Sequence, residues 1–252
     1  MSFLKDAIKY LFESGIQPGD RVVEVVDNDN KDRMFFVDDS GAAREVQPTN
    51  NRAKYELELN TLTGLVNYIK SDLERKSNKF FLHVINEGKV ALHGLLESDG
   101  GRELLAVVNA IVPRFSYEYF HDAEELIIAL QSNFVQTEDR DLLLKVIGNV
   151  KEENVRNTGD NGFSQAVTIK TGVASADDVI VPNPVELAPY RTFLEVNQPA
   201  SDFIFRMKDG PRGAIFEADG GVWRNEAIAN VRDYLATALK TEIENGRITI
   251  IA

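Results

Sequence analysis

Two carboxylates in the last quarter of the chain are the first candidates for chemistry. Glu217 and Asp219 would project to the same side if the strand from Ala214 runs through them. Such a pair suits Mg²⁺ or Mn²⁺ and phosphodiester chemistry, in which the ion clamps the reacting oxygens. Asp177 and Asp178 form a second acidic pair beside a short strand. Asp72, Glu87 and Lys89 resemble the acidic-plus-Glu-x-Lys arrangement of some nucleases. Glu87-Gly88-Lys89 also reads as a hairpin turn that points its lysine into water. With 40 Asp+Glu in the chain, acidic coincidences are expected, so these groups carry less weight than a spaced motif.

The three histidines are His83, His93 and His121. His83 and His93 fall on two strands of one expected hairpin, with Glu87 in the turn between them. A zinc or iron site would need that third ligand. Histidines in strands more often satisfy themselves by hydrogen bonds, so no metal and no cofactor is assigned. Arg191 and Arg206 stand among aromatic residues, in Tyr190-Arg191-Thr192-Phe193 and Phe203-Ile204-Phe205-Arg206. Buried arginines are normally paired, here with Glu195 or Glu217. The alternative is capture of a phosphate or carboxylate. Asp219-Gly220-Gly221 precedes a helix, so Gly220 and Gly221 could present amides to an anion. The structural alternative is a tight turn with Asp219 near the helix start. The RMKDGPR turn places Arg206, Lys208 and Arg212 around Asp209 and reads as solvated. Gly162-Phe163-Ser164-Gln165 lacks the second glycine of a nucleophile elbow. No GxxxxGK[ST] or GxGxxG motif occurs.

These residues need elements to place them. Residues 3–13 predict an amphipathic helix, with Phe3, Leu4, Ala7, Ile8, Leu11 and Phe12 on one face. Residues 21–27 and 33–37 predict a β-hairpin, and the polar stretch 38–55 predicts a mobile connector. Further helices are expected over 61–76, 102–112, 122–134, 138–147 and 224–241. Strands are expected over 80–85, 90–96, 115–120, 164–170, 179–181, 190–196, 203–207, 214–216 and 247–251. Helices and strands do not alternate regularly. The expected fold class is therefore α+β: mixed or antiparallel sheets with several helices packed on them, and an N-terminal helix plus β-hairpin arm. The expected division is 1–55 as that arm and 56–252 as the main domain. Trp223, Phe203 and Phe205 are expected in packing or at an interface, where aromatic strands pair at exposed edges.

The chain has 252 residues, 28 Lys+Arg and 40 Asp+Glu, hence a formal charge of −12, and 43% hydrophobic residues. That balance excludes a disordered chain and argues against broad nucleic-acid binding. The absence of cysteine excludes disulfides, thiolate metal sites and cysteine nucleophiles. MSFLKDAIKYLFESG does not read as a signal peptide, because Asp6 and Glu13 interrupt its apolar residues. No uncharged apolar run approaches the ~18 residues of a membrane span.

From about Asn60 onward the chain resembles the YfdQ-like domain family of phage and prophage proteins. The residues that carry the resemblance are LAPYRTFLEVNQPASDFIFR (187–206) and IFEADGGVW (215–223), supported by TLTGLVNYI (61–69), ELIIALQSNF (125–134) and GDNGFSQAVTIKTG (159–172). It implies a phage-encoded or prophage-encoded protein acting in the bacterial cytoplasm, and brings no catalytic residues with it. The function expected is a self-assembling accessory protein, a homo-oligomer that binds a host, defence or phage replication factor. The alternatives are a metal-dependent nucleic-acid or nucleotide-processing enzyme using Glu217 and Asp219, and a binder of small anionic nucleotides through Arg191, Arg206, Gly220 and Gly221.

Overall fold

A computed structural model describes residues 9, 10, 13, 22–26, 32–38, 40–46, 52–71, 73, 79–97, 100–149, 165–171, 175–181, 183–208 and 212–252. The chain divides into two compact units. The first is Met1–Lys54 with Leu96–Arg102; the second is Tyr55–Leu95 with Glu103–Ala252.

In the first unit, β1 (Val22–Val26), β2 (Asp32–Val37) and β3 (Ala43–Val46) form an antiparallel sheet in the order β1-β2-β3. Phe35 and Val37 are buried, and Val23, Val25 and Ala43 pack on them. The expected hairpin is thus present, but residues 43–46 of the expected connector form a third strand. The turn that returns the chain is fixed by one carboxylate. Asp38 Oδ1 accepts from the Ser40 and Ala42 amides at 2.9 and 3.0 Å, and Gly41 takes φ 76. These hydrogen bonds, led by the Ser40 side chain, hold Asp38 below the usual aspartate pKa. Arg52 makes a bidentate pair with Glu97 at 3.1 and 3.0 Å, which anchors 96–102 to this unit. Lys9, Tyr10 and Glu13 are helical; the rest of the expected 3–13 helix lies outside the described residues.

The second unit is α+β, with two cores. In chain order its elements are β4 (Leu57–Leu59), α1 (Leu62–Ser71), β5 (Phe80–Asn86), β6 (Lys89–Gly94), β7 (Leu104–Asn109), β8 (His121–Asp122), α2 (Ala123–Asn133), α3 (Glu138–Asn149), β9 (Gln165–Thr171), β10 (Ser175–Val181), β11 (Val185–Leu187), β12 (Ser201–Lys208), β13 (Arg212–Glu217), α4 (Trp223–Ala238), α5 (Lys240–Glu244) and β14 (Ile248–Ile251). The larger core lies under a mixed sheet ordered β14-β5-β6-β7-β4, whose two edge strands run parallel to their neighbours. Phe80, Leu82 and Val84 alternate onto the face covered by α1 and α4. Leu62, Leu65, Val66 and Ile69 of α1 meet Val231 and Leu235 of α4 there. Burying one such side chain contributes about 1.5–3 kcal/mol.

The smaller core lies between α2, α3 and an antiparallel sheet ordered β11-β12-β13-β8. Asp122 starts α2 by accepting from the Glu125 amide at 2.8 Å. β9 and β10 form a separate antiparallel pair.

Four expectations are corrected. Residues 102–112, expected as a helix, contain β7, because Leu104–Val108 is an unbroken apolar run with no polar face for a helix to show water. Residues 115–120 are not a strand. Phe115 and Tyr117 pack inward instead, Phe115 edge-on to Phe134 and Tyr117 stacked on Phe203, while Tyr119 is exposed. Residues 190–196 are irregular. The helix expected over 61–76 ends as α1 at Ser71, and Leu73 beyond it is 77% exposed.

Candidate functional site

The aromatic C-terminal strands converge on Arg191. Its side chain is only 8% exposed. Nη1 donates to Glu217 Oε1 at 3.2 Å. Nη2 donates to Ser201 Oγ at 2.8 Å and to the Pro199 carbonyl at 3.3 Å. The guanidinium lies 3.9 Å over the Trp223 ring and 5.6 Å from that of Phe203. Of the two carboxylates expected to pair with it, Glu217 does so. Burial draws the Arg191 pKa below its usual value, opposed by Tyr117, Glu217 and Asp219, and the group stays cationic. The same burial pushes the Tyr117 hydroxyl up to about 12, with Arg191 opposing and Glu217 adding to the shift.

Phe203 and Phe205 are fully buried and Trp223 is 5% exposed. All three sit in packing within this unit. β12 is flanked by β11 and β13, so its aromatic stretch is not the exposed edge that edge pairing requires. Trp223 also carries Arg224 on its ring at 4.8 Å.

Asp219 organises the turn into α4. Its Oδ1 accepts from the Gly221 amide at 2.9 Å and its Oδ2 from the Trp223 amide at 3.3 Å. Gly220 and Gly221 adopt φ 63 and 84, the left-handed region that glycine tolerates. The chain's own carboxylate therefore stands where an anion would meet the Gly221 amide. Glu217 and Asp219 each bond to protein groups in this way.

The histidines are neighbours, with His83 and His93 ring centroids 6.4 Å apart, and His93 stacks on Phe81 at 5.0 Å. Glu87, the third ligand considered, faces Arg224 at 3.6 Å. Among the described residues, no group of three His, Asp or Glu is placed to hold a metal ion. His121 contacts the Ser116 carbonyl through Nε2 at 2.9 Å. Asp177 and Asp178 pair through their backbone with Ile169 and Thr168. Arg206 is half-buried on β12, and Lys208 lies 3.8 Å over the Phe120 ring. Asp72, Ser164 and Asp209 lie outside the described residues.

Sequence reasoning missed Gln198. Its Oε1 accepts from the Arg191 and Thr192 amides at 2.9 and 3.2 Å. Its Nε2 donates to the Phe193 and Val196 carbonyls at 3.0 and 3.2 Å. One amide thus replaces the strand ladder expected for 190–196. Thr192 adds a hydrogen bond from Oγ1 to the Glu87 carbonyl.

The outer side of this segment forms an open groove of about 440 Å³ against α4. Glu195 accepts from the Thr63 amide at 3.2 Å and so satisfies the first turn of α1. Thr63 Oγ1 and Tyr234 Oη are 2.9 Å apart. Asn230 Nδ2 donates to the Asn197 carbonyl at 3.1 Å. No family model, curated protein or solved structure matches this chain.

Proposed function

We propose that this chain is a phage-encoded or prophage-encoded accessory protein that assembles with copies of itself and works by binding. The phage setting follows from the resemblance over 187–206 and 215–223. The observation that supports assembly is a set of exposed apolar side chains around the tip of the β5–β6 hairpin. Three contacts tie neighbouring segments to that tip. The Ala110 amide donates to the Gly88 carbonyl at 2.8 Å. Thr192 bonds the Glu87 carbonyl, and Arg224 pairs with the Glu87 side chain. Within two residues in sequence of the residues making these contacts are Ile85, Ile111, Leu194 and Val222, exposed by 42, 69, 64 and 66%. Grouped exposed apolar residues mark interaction surfaces more often than scattered ones do. A second copy is the occupant favoured here. The rim carries both signs, Glu87 and Arg224, so a two-fold contact sets acid against base despite the net charge of −12.

The metal-dependent reading gains nothing from Glu217 and Asp219, whose oxygens serve Arg191 and the α4 turn. The anionic-nucleotide reading finds both terminal nitrogens of Arg191 and the Gly221 amide bonded to internal partners. Light scattering on the purified full chain tests assembly. The expected result is a discrete mass of two or more chains, reduced to one by Leu194→Glu with Val222→Glu at unchanged secondary structure. A single-chain mass for the unaltered protein, held up to about 100 µM, overturns it, since a stable interface of standard size associates well below that.

A further inference from the structure

We propose that the outer face of the β1-β2-β3 sheet is a second self-contact surface, which closes on the same face of another copy of this chain. Alternation along the strands gives the sheet two faces. Phe35 and Val37 lie on one, with Val23, Val25 and Ala43, and that face holds the small core of this unit. An antiparallel sheet whose other side meets water shows polar residues there. This sheet does not. Val22, Val26 and Val46 stand on the outer face, exposed by 52, 58 and 40%. Met34 and Phe36 lie half-buried between them. Phe36, Arg44 and Val46 also border a hollow of about 360 Å³. Apolar side chains grouped in this way mark a contact surface.

The two charges on this face select a second copy as its occupant. Glu24 lies on β1 and Arg44 on β3, the opposite edges of the sheet, and both are exposed. A two-fold axis running along the strands, between two such sheets, sets β1 of each copy against β3 of the other. Stacked sheets lie about 10 Å apart. Glu24 is level with Met34 and Val46, and Arg44 with Phe36 and Val22. The acid of one copy and the base of the other are then two residues, or about 7 Å, apart along the strands, within reach of side chains this long. Each contact pairs acid with base twice. A partner of one charge would suit one edge and oppose the other. The seven side chains of this face are about a quarter to a third of what each side of a stable interface supplies. The inference therefore rests on the assembly reading above: the hairpin-tip contact joins the copies, and the sheet contact adds to it by proximity.

Light scattering of the full chain over a dilution series tests the sheet contact. Glu24→Arg and Arg44→Glu should each raise the concentration of half-assembly about tenfold or more, since each turns two attractions into two repulsions. Glu24→Arg combined with Arg44→Glu restores the pairing and should restore the original midpoint. Both side chains are exposed, so each variant should keep its fold, which circular dichroism checks. Net charge alone predicts a different pattern. Glu24→Arg makes the acidic chain less acidic and Arg44→Glu makes it more so, and general repulsion would then move the two midpoints in opposite directions. Opposite shifts, no shift in either single variant, or no recovery in the combined one would overturn the sheet contact. A chain that assembles and ignores the reversals overturns this inference alone. A chain that stays single up to about 100 µM overturns the assembly reading on which it rests.

Discussion

The 190–198 segment has two sides of opposite character. On its inner side Arg191 is buried, stacked on Trp223 and bonded to Glu217, Ser201 and Pro199. On its outer side Glu195 accepts from the Thr63 amide and Asp233 pairs with Arg232, both beside an open groove. Both regions hold charge near aromatic or apolar surface, and residue type alone does not separate them. Burial does. An enclosed charge is architecture, because removing it disturbs the packing around it. A charge at the surface is held by screened contacts that contribute little.

The largest effect should come from breaking the inner side. Arg191→Ala strands Glu217 and the Ser201 hydroxyl beside Trp223 and Phe203 without their cation. Only the arginine is buried and Glu217 is 32% exposed, so the cost falls below that of a fully buried pair, at about 2–3 kcal/mol. Urea unfolding should show that loss, while the double variant Arg191→Met with Glu217→Gln should recover part of it. A cost below about 1 kcal/mol for Arg191→Ala would place Arg191 with surface pairs and dissolve the contrast.

The sequence made part of this arrangement legible. Helical spacing marked the faces of α1 through α4, because leucines, isoleucines and valines recur there at the period of the buried stripe. Arg191 was expected to find a carboxylate because a buried guanidinium requires one, and few acids lay nearby. β7 was misread because a continuous apolar run lacks the alternation that separates a strand from a helix. The irregular 190–198 segment was illegible for a different reason. Its backbone hydrogen bonds close on the side chain of Gln198. Nothing in Asn197-Gln198-Pro199 signals that a glutamine replaces a neighbouring strand. The groove was invisible because its two walls, 195–197 and 230–238, are far apart in sequence and come together only in the fold.

The next effect sharpens the inner side through pH. Tyr117 has its hydroxyl pushed up to about 12 by burial, against about 10 when unfolded. Between those values the unfolded chain releases this proton and the folded chain holds it. Stability from the neutral phenol is therefore complete below pH 10 and falls as pH rises toward 12. Tyr117→Phe removes that proton from both states. The melting temperature of the unaltered protein should drop more between pH 9.5 and 11 than that of Tyr117→Phe. Parallel drops would show that Tyr117 titrates in the folded protein as it does in water.

The smallest stability effect belongs to the outer side. Asp233 is 65% exposed and its pair with Arg232 is 51% exposed on the arginine side. Exposed pairs of this kind are screened and contribute little, and exposed substitutions usually fall within about ±0.5 kcal/mol. Asp233→Asn should therefore leave the urea midpoint nearly unchanged. Arg191→Ala should lower it. The pair of variants separates a buried charge that holds the fold from an exposed one that does not. A loss above about 2 kcal/mol for Asp233→Asn would mean that the outer carboxylate is structural too, and that exposure does not divide the two sides of the segment.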